Sequence, residues 1–211
     1  MPPIKRRENR AYKKGGAYKD YRKFVIICEG LREASYFNFF HEKYQKLVVE
    51  ILEPSEEFHG HSAPQKLSER AGQYIQNEQW DESIGDELWF VVDTDRWQNE
   101  LHDLSHLCNS TKNWFLANSN PCFEVWLYYH LHCQRITQTN SQEMKRILSN
   151  QRAGGYNLQD YIMSIENAVQ CSSGLDDHPE QSIADIGITK VYQLGSKILE
   201  LLPRINGNLD L

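Results

Sequence analysis

Long hydrophobic runs are the first thing this chain lacks. The longest, such as FVIIC (24–28) and LWFVV (88–92), span about five to seven residues, far short of the roughly 20 that a membrane helix needs. The basic N-terminus carries no apolar stretch of the kind a signal peptide has, so a cytoplasmic protein with no membrane association is expected. Cys-x-x-Cys is absent too. The five cysteines (Cys28, Cys108, Cys122, Cys133 and Cys171) are odd in number and widely spaced, which argues against a disulfide framework and for a reducing compartment. Structural zinc finds little support. His102 and His106 with Cys108, His59 with His61, and His130 with His132 and Cys133 are local pairs, and none has a second pair at the right spacing. No internal repeat and no glycine-rich phosphate loop or dinucleotide fingerprint occurs, since CEGLREAS (28–35) holds one glycine.

What is present suits one sizeable α/β domain with a helical appendage: 211 residues, 40% apolar and 11% aromatic. The net charge of −6 hides an asymmetry. Residues 1–23 hold nine Lys and Arg against Glu8 and Asp20, a local +7, so the remainder carries −13. A basic arm on an acidic body suits phosphate contacts, with Lys13, Lys14, Arg22 and Lys23 as candidates, or serves as a solubilising tail.

Residues 1–22, with two prolines, two glycines and almost no aliphatics, are expected to be a flexible arm. Beyond it, strand and helix patterns alternate. Strands are predicted at KFVIICEG (23–30), LVVEILE (47–53), ELWFVV (87–92) and KNWFLANS (112–119). Helices are predicted at 31–46, 65–79, 96–108 and 120–132, the last with Asn120 as cap and Pro121 in its first turn. After about residue 135 the strand signal stops, and helices are predicted at 140–151, 157–171 and 186–203. Such alternation predicts an α/β fold, a mainly parallel sheet flanked by helices, spanning 23–134, with a C-terminal helical extension, 135–211, packed on the same core.

In such a sheet the functional crevice lies outside the carboxyl ends of the strands. Three predicted strands end in polar groups: Cys28-Glu29-Gly30, Asp93-Thr94-Asp95 and Asn118-Ser119-Asn120. In extended chain, residues i and i+2 point to one side, so Asp93 and Asp95 are placed to converge on one hard cation, with Glu29 completing the site or deprotonating a water. Carboxylates crowded in one crevice raise one another's pKa unless a cation sits among them. The competing reading has Asp93 capping the next helix and Asp95 solvated.

The stretches VIICEGLREASYF (25–37), ELWFVVDTDRW (87–97) and ANSNPCFEVWLYYHL (117–131) resemble the RloB-like proteins of bacterial and archaeal restriction and abortive-infection loci, which look like members of the wider Toprim superfamily. A looser similarity follows at DIGITKVYQL (185–194). SNPCFEVWL (119–127) is the most specific piece. The resemblance implies a Toprim-type fold in which Glu29 is the general acid/base and Asp93 and Asp95 hold Mg²⁺ or Mn²⁺. It further implies phosphodiester chemistry: a metal-dependent nuclease of an anti-phage system, with DNA or RNA as substrate and a defence-locus protein or a second copy of the chain as partner. Alternatives are a catalytically inactive Toprim scaffold acting as a binding or regulatory module, and a small-molecule phosphate hydrolase.

Glu33 matches the family's acid after Cys-Glu-Gly, while Arg32 stands where a helix-capping hydroxyl is usual. Asn120 and Glu124 match the Asn-Pro-Cys-Phe-Glu motif. Capping is the simpler role for Asn120, and Glu124 is open between metal ligand and helix-dipole partner. Lys190 and Arg135 are further candidates for phosphate contact, set against ordinary solvation. In the C-terminal similarity, Ile186-Gly187 replaces the family's Asn-Pro.

Overall fold

The computed structural model describes residues 23–43, 48–52, 64–77, 80–95, 98–150, 157–202, 204–205 and 208–209. The predicted arm, with Lys13, Lys14 and Arg22, lies outside the described residues, as do His59 and His61. The chain runs β1 (Lys23–Cys28), α1 (Leu31–Lys43), β2 (Val48–Leu52), α2 (Pro64–Asn77), β3 (Glu87–Asp93), α3 (Gln98–Ser110), β4 (Trp114–Ser119), α4 (Glu124–Leu131). Then come α5 (Ser141–Asn150), α6 (Leu158–Ile162), α7 (Ile165–Leu175), α8 (Val191–Leu201) and a short ribbon, β5 (Arg204–Ile205) with β6 (Asn208–Leu209). The first four strands form one sheet in the order β2-β1-β3-β4, and every neighbouring pair is parallel.

Strict alternation of strand side chains builds two cores. Phe24, Ile26, Cys28, Trp89, Val91 and Ala117 face one layer, where Phe37, Phe40, Phe123, Trp126 and the apolar faces of α6, α7 and α8 cover them. Val25, Ile27, Leu88, Phe90, Val92 and Leu116 face the other, under α2 and α3. A sheet covered on both faces explains why its strands read as continuous apolar runs. Burying each large side chain contributes roughly 1.5–3 kcal/mol.

The helix expected at 157–171 is two, α6 and α7, a short ribbon appears where no strand was expected, and two helix starts near the site also differ from the sequence reading. The helix expected at 120–132 begins only at Glu124, and the Asn120–Pro121 peptide is cis. Asn120 donates its backbone N–H to the Ile188 carbonyl at 2.9 Å and accepts from the Gly187 N–H at 2.9 Å. It therefore extends β4 rather than capping a helix, and its amide donates to the Ala184 carbonyl. The helix expected at 186–203 begins at Val191 for the same reason, because residues 187–190 run antiparallel to the end of β4 through a Ser119–Thr189 bridge and a Lys190 N–H to Asn118 carbonyl bond of 2.7 Å. This return segment shields the edge of β4. Gly187 sits at φ +74°, where a Cβ would stand 1.9 Å from the Ile136 carbonyl oxygen. Proline, with its φ locked near −65°, cannot adopt that conformation.

A further difference concerns sulfur. Cys133, just past α4, and Cys171, on α7, are joined by a disulfide with Cα atoms 5.1 Å apart. The expectation of no disulfide is corrected: α4 and α7 pack side by side and bring the two residues together across 38 positions of sequence. Cys28, Cys108 and Cys122 are buried and lie outside the disulfide. No described helix is long and apolar enough to cross a membrane.

Candidate functional site

Adjacent parallel strands deliver three polar segments to one rim. Cys28 pairs with Val91 and Asp93 with Ser119, so the ends of β1, β3 and β4 are neighbours. Carboxylates stitch them. The Asp93 N–H donates to Glu29 Oε2 at 3.1 Å, tying the end of β1 to the end of β3. The Phe123 N–H donates to Asp93 Oδ1 at 2.8 Å, tying β3 to the start of α4.

The resulting pocket, about 360 Å³, is lined by Glu29, Gly30, Leu31, Arg32, Glu33, Asp93, Glu124 and Lys145. Among the described residues, four acids from four places thus converge: the end of β1, the first turn of α1, the end of β3 and the start of α4. Glu33, in the first turn of α1, and Glu124, the first residue of α4, are 6% and 3% exposed, so both carboxylates have lost most of their water. Gly30 leaves room for one of them, since a Cβ there would stand 2.5 Å from Glu33 Oε2. Burial pushes the Glu33 carboxyl up to about 7, helped by the neighbouring charges of Glu29 and Glu124. Burial also holds Asp93 well above the ordinary carboxylate range, and Glu33, Glu29 and Glu124 add to the shift.

Among the described residues, two cations face these acids. Arg32 forms an ion pair with Glu124, Nη1 to Oε1, and Lys145 reaches the pocket from α5. Neither was assigned to the site from the sequence. Arg32 was visible only as a departure from a capping hydroxyl, and Lys145 had no signal, because its placement depends on how α5 packs.

Asp95 does not join Asp93. The strand ends at Asp93, and the N–H groups of Thr94 and Asp95 both turn to the Pro121 carbonyl at 3.2 Å, so the extended-chain alternation no longer applies. Asp95 accepts from the Ser141 hydroxyl and lines a neighbouring cavity. Asn120 lines that cavity as well.

The other predicted phosphate contacts lie elsewhere. Lys190 is 1% exposed, and its ammonium donates to Asp176 Oδ2 at 2.6 Å and to the His178 carbonyl at 2.7 Å. It is a buried ion-pair partner, because the return segment carries it inward beside β4. Arg135 pairs with Asp177 at 2.7 Å. Lys23 opens β1 at the opposite end of the sheet and gives its N–H to Asp86. His130 is buried, with Nδ1 bonded to the Trp126 carbonyl and Nε2 to the Tyr36 hydroxyl, both at 2.9 Å. A carbonyl only accepts, so Nδ1 carries the proton and Nε2 takes the hydroxyl's. Burial lowers its pKa to about 3.

Among the described residues, no group of three or more His, Cys, Asp or Glu is already arranged to hold a metal ion. A pocket lined by four carboxylates nonetheless has the donor chemistry of a hard cation. Magnesium needs only one or two protein carboxylates, completing its shell with water and phosphate oxygens.

A family model described as RloB-like protein matches residues 24–198. No curated protein and no solved structure matches.

Proposed function

The chain belongs to the RloB-like protein family, and from that premise we propose that it is a metal-dependent nuclease with a Toprim-like site, hydrolysing phosphodiester bonds of DNA or RNA in a prokaryotic defence system. One observation carries the reading: Glu29, Glu33, Asp93 and Glu124 meet in a single pocket at the carboxyl ends of parallel strands. Arg32 and Lys145 offset part of this crowded negative charge, and a divalent ion would offset more of it.

Asp93 and Glu29, already joined through a backbone bond, are the residues that would hold Mg²⁺ or Mn²⁺. When bound, the ion would withdraw charge from a phosphoryl oxygen and lower the pKa of water. The protein's own groups do the rest. Glu29 takes a proton from the attacking water as its oxygen bonds to phosphorus, the P–O bond to the departing sugar oxygen breaks and that oxygen takes a proton from solvent, while the Phe123 N–H holds the Asp93 carboxylate in place. Arg32 and Lys145 orient the phosphate through charge-assisted hydrogen bonds. Asp95, on its separate wall, is assigned no metal here.

The test is cleavage of a DNA and RNA panel with Mg²⁺ or Mn²⁺. Asp93→Asn should lower the rate at least 100-fold, and Glu29→Gln similarly. Wild type and Asp93→Asn equally inert across the panel would end this reading. One observation favours an inactive binding scaffold instead, namely that Arg32 already neutralises Glu124. In that case excess Mg²⁺ would leave the thermal midpoint unchanged.

A further inference from the structure

The carboxylate pocket has a larger neighbour on the same rim. This cavity, about 470 Å³, opens beside Thr94 and Asp95, just past the end of β3. Its volume lies in the range of small-ligand sites. The wall between the two pockets is the strand end itself, with Asp93 on one side and Thr94 and Asp95 on the other. Two residues of chain span at most about 7 Å, so one ligand can reach both.

The chemistry of the two pockets differs. Among the described residues that line the larger cavity there is no Lys or Arg, whereas Arg32 and Lys145 line the carboxylate pocket. Instead Leu101, Pro121, Ile183 and Ile186 offer apolar surface, and Ile186 is 49% exposed at the protein surface. Amides, hydroxyls and an imidazole supply donors and acceptors: Asn99, Asn120, Thr94, Thr139 and His102. Asp95 is an acceptor, already taking the Ser141 hydroxyl, and the Asn120 amide is fixed by its bond to Ala184. A flat, apolar ring with a hydrogen-bonding edge is the ligand such a lining fits, and a nucleobase has that form.

We propose that this cavity is a nucleobase subsite, receiving the base next to the phosphate that the carboxylate pocket handles. Asp95 favours bases bearing an exocyclic amine, because a carboxylate accepts from that amine, whereas uracil and thymine offer it only a single ring N3–H flanked by two carbonyl oxygens that repel it. The assignment rests on the nuclease reading for its neighbour but not for its own ligand.

The experiment titrates the full chain with cytidine, adenosine, guanosine and uridine in EDTA, following backbone amide NMR shifts. Saturable shifts are expected at Thr94, Asn99, His102, Thr139 and Ile186, with uridine at least threefold weaker than cytidine. Asp95→Asn should erase that preference. Asp93→Asn should leave the shifts intact. Ile186→Trp, a surface change that fills the mouth, should weaken a short single-stranded oligonucleotide about tenfold with an unchanged thermal midpoint. Nucleosides that shift none of these amides, or oligonucleotide affinity untouched by Ile186→Trp, would overturn the subsite. If oligonucleotides are still cleaved in that event, the nuclease reading stands alone. Nucleoside binding without any cleavage would instead retain the subsite and remove the nuclease.

Discussion

Glu33 shows how much one buried acid can contribute. With its carboxyl raised from 4.5 to about 7, the folded state holds a proton that the unfolded chain has released. Below pH 4.5 both states are protonated and nothing is lost. Between 4.5 and about 7 the folded protein is progressively destabilised, by up to about 3 kcal/mol at 1.36 kcal/mol per unit, and above 7 the cost stays constant. His130 acts oppositely: held neutral down to about 3, it withdraws stability as pH falls below 6.5. The readable quantity is therefore a difference between two proteins that share His130. Glu33→Gln should gain on wild type across pH 4.5–7 in metal-free urea denaturation, and a flat difference would contradict the burial argument. Lys190 offers a second test. Asp176 accepts from Lys190 and from the Tyr192 hydroxyl, and removing the ammonium strands a buried charge. Lys190→Ala should cost about 3–5 kcal/mol while leaving any nucleic-acid salt dependence unchanged. The reverse pattern would restore it as a phosphate contact.

At the scale of elements, α4 is the hub. Glu124, Val125, Trp126, Leu127, Tyr129 and His130 are all buried, so it is apolar nearly all round and lies between the sheet and the C-terminal helices. Its N-terminus carries Glu124 into the carboxylate pocket, and just beyond its C-terminus Cys133 is bonded to α7. A closed loop of this size is worth about 3–4 kcal/mol in chain-entropy terms. Oxidised protein should therefore melt several degrees above protein in dithiothreitol, and Cys133→Ser should abolish the difference. Equal midpoints would show that packing alone holds α4 on α7. The existence and order of these helices were legible in apolar spacing. The late starts of α4 and α8 were not, because both follow from pairing between residues 118–120 and 187–190, some 70 positions apart.

For the whole molecule, charge is distributed by position in sequence as well as in space. Nine Lys and Arg fall within residues 1–23, ahead of a body carrying −13 and an acidic pocket on its rim. If the arm carries the phosphate contacts, nucleic-acid affinity falls steeply with salt, with a log–log slope of about −0.7 to −0.9 per contact. Deleting residues 1–22 should flatten that slope by several units while leaving base preference intact. An unchanged slope would assign the contacts to the body, with Arg32 and Lys145 first in line.

The sequence alone determined the parallel α/β scheme, because a strand buried on both faces must be a continuous apolar run and a helix laid on one must show its period. It also determined that Glu29 and Asp93 fall at strand ends, where a parallel sheet gathers its polar residues on one rim. Tertiary structure alone decided which acids share a pocket. Asp95 faces the neighbouring cavity where the backbone turns toward Pro121, Glu124 was brought in by α4, and Lys145 arrived from a helix fifty residues away. A local pattern specifies which face a side chain takes within its own element. Which carboxylate meets which cation is set by how the elements pack, and that depends on contacts between residues far apart in the chain.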